Sequence, residues 1–87
     1  MKVLDVLLVE ALASSEIRPW ANDVMDIVTA HSRGEVSEFE ADFLLWGIEE
    51  TRAPRAVKDT ESLALVRRLT AAARSQIQGA KYESRPQ

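Results

Sequence analysis

The apolar positions of this chain fall into four blocks, and the third is patterned unlike the others. Over Ser37 to Glu50, SEFEADFLLWGIEE, a helical wheel at about 100° per residue sorts the apolar residues onto two faces. Phe39, Phe43 and Trp46 make an aromatic face. Ala41, Leu44, Leu45 and Ile48 make an aliphatic face roughly opposite, with Glu40, Asp42 and Glu49 in the seams. A surface helix ordinarily carries one apolar stripe, so a helix with two must bury both or keep one for a partner.

The other blocks are simpler. Val3 to Ala13, VLDVLLVEALA, is apolar nearly all round, interrupted only by Asp5 and Glu10. Its leucines and alanines favour helix, and such a helix is buried or intermolecular, which makes Leu4 and Leu8 candidate interface residues. After a connector over Ser14 to Arg18, Pro19 stands where the first helical position tolerates a missing N–H. Trp20, Val24, Ile27, Val28 and His31 then form a single stripe, and Gly34 is placed to end that helix as a left-handed cap. Ser37 and Glu40 have the spacing of a capping box for the third helix, which should run to about Arg52 and stop before Pro54. Arg52 to Lys58, RAPRAVK, reads as a basic linker. Asp59 or Thr60 caps the fourth helix, whose stripe is Leu65, Val66, Leu69, Ala72, Ala73 and Ile77, and Gly79 should close it.

These blocks predict an all-α fold: a small bundle of about four short helices over residues 1–80, with residues 81–87 a disordered tail. At 87 residues a single core is only marginally adequate. The chain has no cysteine to staple it, so completion by dimerisation is expected. Absence of cysteine also makes a reducing, cytoplasmic setting the default. Lys2, the apolar run and Ala11-Leu12-Ala13 imitate a signal peptide, but Asp5 and Glu10 interrupt the run. The run is also about half the ~20 residues needed to span a bilayer, so no membrane association is expected.

Charge divides the chain. Residues 1–50 carry eleven acidic and three basic side chains, residues 51–87 three acidic and eight basic. Such asymmetry fits either a basic nucleic-acid surface or complementary surfaces that pair within or between chains. Arg52, Arg55, Lys58, Arg67 and Arg74 are the candidate nucleic-acid contacts.

Other chemistry finds little support. With Gly34 at position six, the turn before the third helix resembles half a calcium loop, with Ser37 at nine and Glu40 at twelve. Positions one, three and five would then be Thr29, His31 and Arg33, which cannot supply the oxygen ligands calcium needs. Read instead as a helix-turn-helix, the same turn would send Glu35, Glu38, Glu40 and Asp42 toward phosphates, opposing the electrostatic term that drives DNA binding. One histidine and no cysteine leave no zinc ligand set, and His31 continues the stripe of Trp20, Val24 and Ile27 as a core-edge residue. No nucleophile, metal or phosphate-loop pattern points to an enzyme, and no cofactor is expected.

The function this sequence supports best is a non-enzymatic protein-interaction module, an adaptor, chaperone or inhibitor-type regulator. It would bind another protein, or a second copy of itself, through Phe39, Phe43 and Trp46 with Leu4 and Leu8. The alternative is a nucleic-acid-binding regulator using the basic second half.

Overall fold

The computed structural model describes residues 3–83, with side chains through residue 79. Its elements are α1 (Val3–Leu12), α2 (Arg18–Ser32), α3 (Glu38–Gly47), a π-helical turn (Ile48–Arg52), α4 (Ala53–Ala56) and α5 (Thr60–Glu83). No strand occurs among the described residues. The protein is a small all-α bundle of four helical rods, the third made of α3, the π turn and α4 end to end. α5 packs against α1, α2 and α3 and is the wall they share.

The core follows the stripes. α5 contributes Leu65, Val66, Leu69, Ala73 and Ile77, α2 contributes Ala21 and Val24, and α1 contributes Leu4 and Ala11. Thr70 is fully buried among them, and its Oγ1 donates to the Arg67 carbonyl at 3.0 Å, so the hydroxyl enters the core without losing its hydrogen bond. Among the described residues five of the buried ones are alanines (Ala11, Ala21, Ala41, Ala53 and Ala73) and no aromatic residue is fully buried. Small residues at the contacts let helices approach closely.

Gly34 has φ +75°, the one positive φ among the described residues. Its N–H donates to His31 O at 3.0 Å and that of Glu35 to Ala30 O at 2.9 Å, the two bonds of a Schellman cap. Three residues on, Ser37 Oγ accepts the Glu40 N–H at 3.0 Å and opens α3. At the start of α5, Asp59 Oδ2 accepts both the N–H and the hydroxyl of Ser62, each at 2.9 Å.

Three expectations about boundaries change. The third rod does not stop before Pro54; it continues to Ala56 and leaves the helix at Val57, where φ is −97° and ψ 114°. A proline ring inside regular α-helix collides with the carbonyl four residues back. Here the π turn widens the path just ahead of Pro54, with the Ala53 N–H donating to Ile48 O, five residues back. Part of the expected linker is therefore helix, and Ala53 and Val57 lie in the core. Gly79 does not end α5, which runs on to Glu83; Gly79 lacks the positive φ that makes Gly34 a stop. Residues 81–83 are thus helical, and the remainder of the expected tail, 84–87, lies outside the described residues. The connector before α2 also does more than join: Ile17 is buried, and Arg18 Nε donates to Leu12 O at 3.1 Å, tying α2 to the end of α1.

The caps carry measurable stability. Ser37→Ala should lower it by about 1 kcal/mol, and Gly34→Val by more than the ~1 kcal/mol a left-handed backbone imposes on ordinary residues. Thermal melts unchanged in both variants would place the α3 boundary elsewhere.

The Asp59 carboxylate gives a pH dependence. Accepting the Ser62 backbone N–H, and secondarily its hydroxyl, holds its pKa below the ordinary 3.8. A depressed folded-state pKa contributes stability above 3.8 that is lost as the pH falls through the lower folded value. Asp59→Asn, which keeps a cap but not the charge, should remove that part of the acid limb of the pH–stability curve. An unchanged limb would mean the cap bond does not form in solution.

Candidate functional site

The capping bond at Ser37 fixes where α3 begins, and the side chains behind it fix how α3 is turned about its axis. Ala41, Leu45 and Ile48 have no exposed surface. Phe39, Phe43 and Trp46 point the other way and are 79%, 60% and 47% exposed. Leu44, grouped by its spacing with the aliphatic face, stands at the edge of that face and is exposed. The Phe43 and Trp46 rings lie 6.3 Å apart between centroids at 31°, near enough to form one continuous apolar ridge. The three rings leave roughly 300–450 Å² in water. That equals the largest apolar patch of a typical monomer, and such patches are often functional.

One flank of the ridge is locked to α5. Arg74 Nε donates to Asp42 Oδ1 at 2.7 Å and Arg74 Nη1 to Glu49 Oε2 at 3.3 Å. The Asp42 hydrogen bond, above all, pushes the Arg74 pKa up from its ordinary value. Asp42 and Glu49 are seven residues apart, two turns of helix, so one guanidinium holds both α3 and the π turn against rotation. Arg74, a candidate nucleic-acid contact by its place in the basic half, pairs within the chain as a clamp. The seam carboxylates seven apart along the third rod were the signal for it. On the other flank Glu40 is exposed, and at the end of the ridge, four residues beyond Trp46, Glu50 is exposed too. From Glu35 to Glu50 the chain holds six carboxylates and no lysine or arginine. A shallow hollow lined by Glu38, Phe39, Asp42 and Gln78 continues the ridge toward α5.

Arg52 is the second basic residue paired within the chain, although its side chain is exposed. It pairs with Asp23 at 3.2 Å, and its guanidinium sits 5.6 Å from the centre of the half-buried Trp20 ring. Of the five candidate nucleic-acid contacts, Arg74 and Arg52 pair with the acidic first half of their own chain, Arg52 from an exposed position, and Arg55, Lys58 and Arg67 are exposed as well. Leu4, a candidate interface residue because its helix is apolar nearly all round, is in the core, and Leu8 packs half-buried against that core. The surface of α1 is instead a row of valines: Val3, Val6 and Val9. The row follows from α1 burying its leucine side against α5 and α2.

His31 lies half-buried in the last turn of α2. Among the described residues no three His, Asp or Glu side chains converge as a metal site. No helix there is long and apolar enough to cross a membrane. No family model, curated protein or solved structure matches the chain.

The two faces should respond oppositely to truncation. Leu45→Ala removes a fully buried side chain and should cost about 2–5 kcal/mol. Phe43→Ala empties no cavity and should cost under about 1 kcal/mol. Chemical denaturation monitored by circular dichroism checks both, and a larger loss for Phe43→Ala would reverse the assignment.

Proposed function

We propose that this protein is a non-enzymatic interaction module, an adaptor-, chaperone- or inhibitor-type regulator that binds a protein partner through the α3 ridge. The observation that carries this reading is the orientation of α3. Ala41, Leu45 and Ile48 of its aliphatic face are completely buried and Arg74 locks its rotation, so the rings stay in water. Large rings in that position are costly to expose and are the residue types that dominate interface energy. A nucleic-acid role for the basic half has less behind it, since Arg52 and Arg74 are already spent on ion pairs within the chain.

The test is capture from the native cell with wild-type, Phe43→Ala and Trp46→Ala chains, each checked for full helical content. The ridge variants should remain folded and lose the same specific partner. Retention of that partner by both would remove the ridge from function.

Self-association is proposed for a separate surface. Val3, Val6 and Val9 are 70%, 50% and 72% exposed along α1, and β-branched residues with few rotamers suit a close helix–helix seam. A two-fold pair, the commonest closed assembly, would bury this row against its own copy. Sedimentation at micromolar concentration should then give about twice 9.7 kDa, and Val6→Glu should return the mass to 9.7 kDa. A wild-type mass of 9.7 kDa would contradict it.

A further inference from the structure

Resting on the reading of the ridge as an interaction surface, the chemistry around it specifies what it accepts. We infer that its occupant is a basic amphipathic helix of a partner protein. The apolar stripe of that helix lies along Phe39, Phe43 and Trp46, with its lysines or arginines over Glu40 and Glu50.

Six carboxylates and no cation stand between Glu35 and Glu50, and the clamp on Asp42 and Glu49 comes from α5, on one flank only. Glu40 and Glu50 are exposed and have no ion pair among the described residues. An apolar partner that brought no positive charge would crowd these carboxylates with low-dielectric surface and leave them uncompensated. A second copy using the same face would set acidic rim against acidic rim, because a two-fold axis pairs identical surfaces. Cations beside the rings also gain attraction to the faces of Phe43 and Trp46.

Shape then selects a helix. Phe39, Phe43 and Trp46 follow the 4-then-3 spacing of one helix face and span about 10 Å along the axis. A partner helix with apolar residues at the same intervals matches that repeat ridge by ridge. Addition of an extended strand would need a sheet edge, and the described residues contain no strand.

The experiment titrates the full chain against two labelled peptides of about 16 residues, followed by fluorescence anisotropy. Both have leucines at the i, i+3, i+4 and i+7 positions of a helix; one carries lysine at the remaining positions, the other glutamate. The lysine peptide should bind at least about tenfold more tightly than the glutamate peptide, and Phe43→Ala should weaken it by a similar factor. Glu40→Lys with Glu50→Lys should reverse the preference. Asp26→Lys with Glu61→Lys, an equal change of charge at exposed sites on α2 and α5, should leave the preference for the lysine peptide standing. Three results would overturn the inference: equal binding of both peptides, an equal reversal by the Asp26/Glu61 pair, or a homodimer that Phe43→Ala dissolves. Equal binding that Phe43→Ala still abolishes would refute only the basic partner and leave the ridge as an interaction surface. Failure of both peptides, with the native partner still captured by Phe43→Ala, would refute the interaction reading as well.

Discussion

The rotational setting of α3 is the constraint on which the surface of this protein depends. Once Leu45 and Ile48 are inside with Val66 and Leu69 of α5, the residues on the far side of the same helix have no choice but water. By area alone the opposite setting would bury more, since two phenylalanines and a tryptophan carry more apolar surface than leucine, isoleucine and alanine. Packing decides otherwise. Ala11, Ala21, Ala41, Ala53 and Ala73 all lie in the core. A core with this many small residues has room for Leu45 and Ile48 but not for three large rings without forcing the helices apart.

Electrostatics reinforces the same setting. The acidic first half and basic second half meet at two arginines, Arg74 on Asp42 and Glu49, and Arg52 on Asp23. Exposed ion pairs stabilise weakly. The Arg74 pair is better placed, because Glu49 is mostly shielded and one guanidinium bridges two carboxylates. Its chief effect is geometric: turning α3 to bury the rings would break both contacts. What the pairing leaves over is also organised. The carboxylates not reached by α5 border the aromatic ridge, so an apolar surface and a negative charge coincide on one helix.

Much of this was legible along the chain, for reasons that can be named. The single stripes of α2 and α5 have the 3.6-residue period of one buried face, and the structure buries Val24, Leu65, Leu69 and Ile77 accordingly. Gly34 and Ser37 carry local geometry that needs no distant partner. The two faces of α3 were separable by spacing, but which would be buried depended on alanines from α1, α2 and α5. Leu44 at the margin could not be assigned from angle alone. The π turn was hidden because Pro54 ordinarily marks a stop, and only the buried Ala53 and Val57 explain why the rod continues. α1 was ambiguous in the same way as α3: a helix apolar on every side does not declare which side the bundle will take, and Leu4 went inward while the valines stayed out.

Everything proposed about function depends on the rings being outside and the aliphatic residues inside. Hydroxyl-radical footprinting of the dilute chain reads this residue by residue, each rate being normalised to that of the unfolded chain. The account requires Phe39, Phe43 and Trp46 to oxidise at rates approaching their unfolded values, while Leu45 and Ile48 are protected until the protein melts. Protection of the three rings together with ready oxidation of Leu45 would contradict it.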